Sequence, residues 1–284
     1  MDIRGALATG KRKLLKAGID SYSLDAEVIL SYVLHTDRLD LFINYDRVLN
    51  QKQLSKYDEL LKLRCKHMPV AYITGEKEFY GIKFHVSPGV LIPRPETEFL
   101  VERSLEVISK IKEPKIADIC CGSGAIAVAI AYNNKYSLVY ASDISQIAGC
   151  LTKKNATRHN VNERVFFMQG DFWEPFKANK IGELDLIISN PPYIPTSQIK
   201  ELPPDVSHEP KLALDGGEDG LEAYRHIICD APVFLKTGGQ MILEIGWNQA
   251  KTVSNMLKSA GFSNIYIQKD YAGFDRVVSA IYSQ

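Results

Sequence analysis

The sequence predicts an α/β protein in which a mostly parallel, doubly wound sheet follows a small helical-bundle domain. From Lys115 onward, short apolar runs typical of strands alternate with helical patterns. Such alternation is typical of parallel sheets with helices on both faces. Before residue 69, by contrast, the apolar residues recur almost entirely at helical spacing. The length of 284 residues suffices for one large domain or two smaller ones.

Residues 1–68 are predicted to form the helical bundle. Apolar residues recur at helical spacing in two segments, and Ser23 is a candidate N-cap for the first of them. The two apolar sets are Ala26, Ile29, Leu30, Val33 and Leu34, and then Leu54, Tyr57, Leu60 and Leu61. A shorter helix is predicted over residues 37–45.

Residues 69–95 are predicted to form a β-hairpin linker between the two domains. Glycines and prolines interrupt short β-like runs such as residues 81–86. A helix is expected to begin near Pro95, because proline suits the first turn of a helix. The α/β domain then occupies residues 96–284. Its strands are predicted at 115–120, 137–142, 165–169, 185–189, 240–245, 264–268 and 276–282.

A four-residue motif, Asn190-Pro191-Pro192-Tyr193, stands at the end of the apolar run 186–188. Doubly wound sheets bind ligands at such strand ends. A proline holds the preceding residue extended, so the side-chain carbonyl of Asn190 and the backbone carbonyl of Pro191 become two fixed acceptors. Two acceptors match the two donors of an NH2 group, and Tyr193 adds a flat face beside it. The motif is therefore predicted to bind and catalyse transfer to an amino or amide nitrogen, although an isolated segment of this kind is also an ordinary turn.

A glycine-containing loop joins the first strand of the α/β domain to a helix and predicts a cofactor site. Its residues are Cys120, Cys121, Gly122, Ser123 and Gly124. The glycines permit a tight turn and a close approach of a ligand to the backbone. The loop also fits a loose nicotinamide pattern, so by itself it leaves NAD and S-adenosylmethionine open.

Acidic and aromatic residues at the next two strand ends extend the predicted cofactor site. Asp143 follows the loop by about twenty residues, a spacing that suits a carboxylate accepting from ribose hydroxyls. Asp171 is a candidate acceptor for an adenine amino group, and Phe172 a candidate stacking partner. Trp173 fits either stacking or plain core packing. Because methyl transfer to nitrogen needs two acceptors for an NH2 group and hydride transfer does not, Asn190 favours S-adenosylmethionine and is expected to contact it.

Composition argues against several function classes. The formal net charge is zero, which disfavours binding to nucleic acid or acidic membranes by charge alone. The five cysteines contain no Cys-x-x-Cys pair and the six histidines are scattered, so neither a disulfide framework nor a metal site is expected. No apolar run reaches the length of a membrane span, and the N-terminus lacks a signal-peptide core. The protein is expected to be cytoplasmic, with no membrane or direct nucleic-acid partner, and to act as a monomer.

Longer motifs carry a resemblance to one family over nearly the whole chain. They are Phe79–Gly81, Val90–Glu98, Glu209–Gly217 with Asp219–Leu221, and Gly273–Arg276. With the Asn-Pro-Pro-Tyr motif, the glycine loop and Asp143, they resemble the peptide chain release factor glutamine methyltransferases (the HemK/PrmC family). The resemblance implies a class I S-adenosylmethionine-dependent methyltransferase, with a Rossmann-like, mostly parallel seven-stranded sheet. It also implies methylation of the side-chain amide nitrogen of the glutamine in the Gly-Gly-Gln motif of class 1 release factors, with the helical domain binding this protein substrate.

Some assignments stay open at the level of sequence. Where the family often has glycine at the start of the loop, this chain has Cys120. A cysteine is expected to be tolerated there only if the backbone angle is one that ordinary residues adopt. Arg94 and Glu98 either border the pocket or pair with each other, and Glu209 either shapes the substrate side or belongs to a structural turn. The alternative functions are an adenine-N6 methyltransferase of nucleic acid, a glutamine methyltransferase of another translation protein, and a non-catalytic cofactor-binding scaffold.

Overall fold

The computed structural model of the protein describes residues 1–283, and the chain divides into two compact units. The first unit contains Met1–Glu76 and a later segment, Pro203–His208. The second contains Lys77–Leu202 and the chain from Glu209 onward. Within the described residues, no helix is both long enough and apolar enough to cross a membrane.

The first unit is a helical bundle. Its helices are α1 (Ile3–Lys16), α2 (Tyr22–Leu34), α3 (Arg38–Ile43), α4 (Gln51–Arg64) and α5 (Val70–Thr74). Apolar residues at helical spacing, such as Leu7, Ile29 and Leu61, form its core. The predicted cap at Ser23 is wrong, because α2 begins at Tyr22 and places Ser23 inside its first turn.

An ion pair between the buried Arg64 and the partly exposed Asp205 attaches the segment Pro203–His208 to this bundle. Arg64, at the end of α4, donates from Nε to Asp25 Oδ2 at 2.6 Å, and its Nη2 lies 2.8 Å from Asp205 Oδ2. His67 Nδ1 lies 3.1 Å from the other Asp205 oxygen. The segment therefore belongs to the helical unit through side chains more than a hundred residues apart in sequence.

A two-stranded hairpin follows the helices, with β1 at Glu76–Phe79 and β2 at Ile82–His85. Its two turn residues, Tyr80 and Gly81, both have positive φ, 49° and 74°. That combination is typical of the tight turns that match the twist of a hairpin. Within the predicted linker, residues 70–74 are helical and the hairpin begins only at Glu76.

The second unit is built around a seven-stranded sheet, as the resemblance implied. Its strands are β3 (Lys115–Ile119), β4 (Leu138–Asp143), β5 (Val165–Gln169), β6 (Leu184–Ser189), β7 (Leu235–Glu244), β8 (Phe262–Lys269) and β9 (Asp275–Tyr282). Their spatial order is β5-β4-β3-β6-β7-β9-β8, with β9 antiparallel to both of its neighbours and the other pairs parallel. The predicted strand bounds agree with the observed ones within about two residues, except that β7 begins five residues earlier than predicted. Its first half is largely polar and contains two glycines, so it lacks the apolar pattern of a strand.

Within residues 1–283, six helices pack against this sheet. They are α6 (Glu98–Ile108), α7 (Ala125–Asn133), α8 (Gln146–Arg158), α9 (Glu174–Ala178), α10 (Glu222–Phe234) and α11 (Ala250–Ser259). All six residues of β6 are buried, and its apolar residues divide between two cores: Leu186 and Ile188 join one, Leu184 and Ile187 the other. Because both faces are covered, four of the six residues of this strand are apolar. The strand β3 pairs with β6 on one side and with β4 on the other. The order of strands therefore reverses between β3 and β6.

Candidate active site

A cavity of about 530 Å³ lies at the carboxyl ends of β3, β4, β5 and β6. This is the position expected for a ligand in a doubly wound sheet, at the point where the strand order reverses. The predicted site residues that line it are Cys120, Gly122, Asp143, Asp171, Phe172, Asn190 and Pro192. Its volume falls in the range of sites for cofactor-sized molecules.

The loop after β3 carries left-handed backbone at three of its five residues. Cys120, Gly122 and Gly124 have φ of 61°, 55° and 75°. The expectation that Cys120 keeps an ordinary backbone angle is therefore wrong: the cysteine occupies a conformation that favours glycine. A side chain at Gly122 would meet no atom within 4 Å, so the backbone of this turn is open to a ligand.

Asp143 braces the loop and also borders the cavity. Its Oδ2 accepts from the Gly122 amide at 2.9 Å, and its Oδ1 accepts from the Ser145 amide at 2.9 Å. Burial raises the pKa of Asp143, and the backbone donors oppose that rise. Each oxygen has a second lone pair, so the carboxylate can accept from ligand hydroxyls as well.

Buried side-chain oxygens without a hydrogen-bond partner among the described residues occur near the cofactor loop. Ser142 Oγ and Asp118 Oδ1 are buried and have no hydrogen-bond partner, and Ser142 lines the cavity. Burial raises the pKa of Asp118 to about 8. Buried polar atoms are ordinarily satisfied, so a ligand with a hydroxyl or amino group beside Ser142 fits this lining, as S-adenosylmethionine would.

The aromatic residues after β5 play different roles. Phe172 lines the cavity and stacks on His226 of α10, with ring centroids 5.1 Å apart and planes 10° apart. Trp173 is a core residue: it is buried, stacks on Phe234 at 4.3 Å and donates from Nε1 to the Ile227 carbonyl at 3.1 Å. Asp171 borders the cavity and is exposed.

The remaining loop residues, Cys121, Ser123 and Gly124, are absent from the cavity lining among the described residues. Cys121 and Ser123 are buried, and burial raises the pKa of the Cys121 thiol, which makes it a packing residue. The Ser123 carbonyl accepts from the buried Asn155 of α8 at 2.9 Å. These residues therefore hold the shape of the loop.

Asn190 borders the cavity, and its amide nitrogen is engaged by the protein. Nδ2 donates to Thr97 Oγ1 at 3.1 Å, so the carbonyl Oδ1 is the atom that remains to accept from a ligand. The preceding residue, Ser189, donates to the Ile119 carbonyl at 2.6 Å and fixes the end of β6 against β3. Pro191 is buried and Tyr193 half-buried, and neither lines the cavity as it stands.

The segment 209–221 supports the backbone of the motif. Ile194 donates to the Leu214 carbonyl at 2.9 Å and accepts from the Gly216 amide at 2.8 Å. A side chain on Gly216 would lie 2.8 Å from the Pro192 carbonyl, so only glycine permits this approach. From α11's N-cap, Gln249 Nε2 donates to the Tyr193 carbonyl at 3.0 Å.

The two charged residues left open by the sequence have different partners. Arg94 pairs with Glu209, whose other oxygen accepts from the Ile92 amide at 3.0 Å. Glu98 instead accepts from the Tyr80 amide at 2.9 Å. Neither arrangement is the Arg94–Glu98 pair considered from the sequence, and Glu209 acts as a buried structural anchor.

Sequence reasoning missed several residues of the site. They are Ser142, His226, Gln249, Thr97 and Glu244. Ser142 directly precedes Asp143 at a strand end, a signal that was available. Thr97 lies inside a motif that was recognised without a role, and the other three depend on packing between distant elements.

Two family models match the chain. One, described as the PrmC N-terminal domain, matches residues 5–75, and the other, described as a methyltransferase small domain, matches residues 95–202. The release factor glutamine methyltransferase of Clostridium acetobutylicum is 43% identical over 283 residues, covering 99% of each chain. That of Clostridium botulinum is 41% identical over 282 residues, again with 99% coverage of both.

Among solved structures, a methyltransferase from Pyrococcus furiosus superimposes with a TM-score of 0.53. The alignment covers 73% of this chain and 92% of that chain at 17% identity. At this identity the similarity concerns the fold alone, and it agrees with the observed sheet.

Proposed function

This chain belongs to the family of release factor glutamine methyltransferases, and we propose that it methylates the glutamine of the Gly-Gly-Gln motif in class 1 peptide chain release factors. The methyl group would pass from S-adenosylmethionine to the side-chain amide nitrogen. The observation that carries the proposal is the placement of Asn190. Its carbonyl is left free at a cavity whose remaining polar lining suits that cofactor.

The motif residues are assigned to the acceptor amide. An amide nitrogen is a weak nucleophile because its lone pair is delocalised into the carbonyl. Asn190 Oδ1 and the Pro191 carbonyl would accept its two N–H groups, hold the lone pair toward the donor and stabilise positive charge that develops on nitrogen. Pro192 fixes the backbone between them, and Tyr193 limits rotation of the amide plane. S-adenosylmethionine, when bound, supplies an electrophilic methyl group on a sulfonium.

The strand-end residues are assigned to the cofactor. Asp143 would accept from the ribose hydroxyls, Phe172 would pack against the adenine, and Asp171 would accept from its amino group. Cys120 and Gly122, the loop residues that line the cavity, would lie against the remaining part of the molecule, and Cys121, Ser123 and Gly124 would hold the loop in shape. Residues 96–284 then form the catalytic domain.

The protein substrate is assigned to the helical part of the chain, residues 1–68. We expect the enzyme to act as a monomer in the cytoplasm, where release factors function. No direct contact with nucleic acid is required, since the acceptor is a protein side chain.

The decisive experiment incubates the purified protein with a class 1 release factor and methyl-labelled S-adenosylmethionine. Mass spectrometry is expected to place one methyl group on the Gly-Gly-Gln glutamine, and a release factor with glutamate at that position should stay unlabelled. Ribosomal proteins, DNA and RNA serve as competing acceptors. Preferential labelling of any of them would contradict the proposal.

Asn190→Ala tests the motif directly. Removing a fixed partner of the reacting group is expected to lower kcat about 100-fold, while the Kd for S-adenosylmethionine changes less. The matched control is Asn179→Ala, which removes a side-chain amide that donates to the Pro175 carbonyl of the preceding helix α9. Near-normal turnover of Asn190→Ala at saturating substrate would exclude the role given to Asn190.

A further inference from the structure

A buried polar chain lies behind Asn190, and it is formed by Thr97 and Glu244. Thr97 ends a short helical turn, Pro95–Thr97, and Glu244 ends β7; the two residues are 4% and 1% exposed. We propose that Thr97 and Glu244 are positioning residues that fix the orientation of the Asn190 amide for methyl transfer. This inference rests on the proposed function, since it concerns the acceptor site of the same reaction.

The first link is the hydrogen bond from Asn190 Nδ2 to Thr97 Oγ1, at 3.1 Å. A primary amide can rotate by half a turn and exchange its carbonyl for its NH2 group with little change in shape. Only the carbonyl orientation toward the ligand provides an acceptor for an incoming N–H. Thr97, as an acceptor for Nδ2, selects that orientation.

The second link is between Thr97 and Glu244. A threonine hydroxyl has one proton, and to receive the Asn190 N–H it must direct this proton elsewhere. Hydrogen bonding by the Thr97 and Tyr193 side chains favours the ionised form of Glu244 and opposes the rise in its pKa that burial causes. An ionised carboxylate only accepts, so it orders Thr97 as donor on one side and acceptor on the other.

The charges around Glu244 come from several elements. Arg276 of β9 attracts the carboxylate and Glu96 of the turn repels it, while the Tyr224 hydroxyl of α10 donates to the Glu244 backbone carbonyl at 2.8 Å. Arg276 is itself held by Asp270 at 3.0 Å. Glu244 therefore interacts electrostatically with Tyr193 and Thr97, and Thr97 in turn accepts from Asn190.

The buried carboxylate of Glu244 is not expected to stabilise the folded protein. Its Oε2 is buried without a hydrogen-bond partner, and burial raises the pKa of Glu244 to about 7. A group with a raised folded-state pKa gives up stability as the pH rises through that value. Its ionised form is the one that orders Thr97, so activity and stability should respond to pH in opposite directions.

The test compares Thr97→Val with Thr97→Ser. Valine keeps the shape of threonine and removes the hydroxyl, so kcat on the release factor should fall at least about tenfold, with the Kd for S-adenosylmethionine within about threefold of wild type. Serine retains the hydroxyl and should restore kcat to within about threefold. The control Thr157→Val removes an exposed threonine hydroxyl that bonds the Lys153 carbonyl, and should leave kcat unchanged. Equal loss in the valine and serine variants, or no loss in valine, would overturn the proposal.

Glu244→Gln supplies a second readout. Wild-type kcat should decline below about pH 7, and the glutamine variant should have a lower kcat without that decline. Its Tm should equal or exceed that of wild type above pH 8, because no buried charge forms. A variant whose Tm and kcat fall together at every pH would show a merely structural role. The thermal measurement needs no substrate, so it tests Glu244 even if wild type failed to methylate the release factor, a result that would instead refute the proposed function.

Discussion

At the scale of single residues, Cys120 stands at a backbone position that favours glycine. Its φ of 61° lies in the left-handed region, which costs an L-residue about 1–2 kcal/mol. The adjacent Cys121 has no positive φ among the described residues and is buried. Replacement by glycine is thus expected to destabilise the protein more at Cys121 than at Cys120.

Cys120→Gly should change the free energy of unfolding by less than about 1 kcal/mol, because relief of strain offsets the greater freedom of glycine in the unfolded chain. Cys121→Gly should cost about 2 kcal/mol, since it removes a buried side chain and gains nothing from the backbone. Urea denaturation of both variants measures the difference. An equal loss in the two would show that the Cys120 backbone is not strained.

At the scale of elements, one side chain connects three segments that form the cofactor loop and its surroundings. Asn155 of α8 is fully buried; its Nδ2 donates to the carbonyls of Ser123 and His85, at 2.9 and 3.0 Å. Its Oδ1 accepts from the His85 amide at 2.7 Å. The hairpin strand β2 and the loop after β3 are therefore tied to the same helix.

Asn155→Ala is expected to lower the free energy of unfolding by about 3 kcal/mol, because it leaves buried backbone groups unsatisfied. It should also weaken binding of S-adenosylmethionine several-fold, since the Ser123 carbonyl loses its support. Thermal unfolding and calorimetric titration measure the two effects. Asn133→Ala, which removes only a bond to the Ala129 carbonyl within α7, is the matched control and should cost less than about 1 kcal/mol.

At the scale of the whole molecule, the helical unit is formed by two separate segments of the chain. Pro203–His208 belongs to the helical unit although it follows most of the sheet in sequence. Burial acts to raise the pKa of Asp205, but hydrogen bonds and charge from Arg64 and His67 outweigh it and lower the pKa. The later segment therefore contributes a charge to the bundle, and this contribution depends on pH.

Asp205→Ala should destabilise the protein by about 1 kcal/mol at neutral pH, a modest value because the carboxylate is partly exposed. A lowered pKa means that the stabilisation is present above about pH 4 and is lost as pH falls through the folded-state value. The gap in Tm between wild type and variant should accordingly close toward about pH 2. Asp46→Ala, at an exposed pair with Arg4, is the control and should show little effect at any pH.

Local patterns in the sequence determined the class of fold and the position of the site. The apolar run before Asn190 predicts a buried strand, the two prolines predict its end, and the glycines after β3 predict a turn open to a ligand. These signals are reliable because strand period, proline geometry and glycine freedom act over a few neighbouring residues. The motifs that resemble those of one family implied the reaction and its protein substrate.

Only the tertiary structure decided which side chains complete that site. Thr97 reaches Asn190 across 93 positions of sequence, and Asn155 reaches His85 across 70. Such contacts depend on strand order and on the packing of helices against the sheet, which no local pattern encodes. The left-handed Cys120 has the same origin, since the sheet and α7 impose the turn on whichever residue stands there.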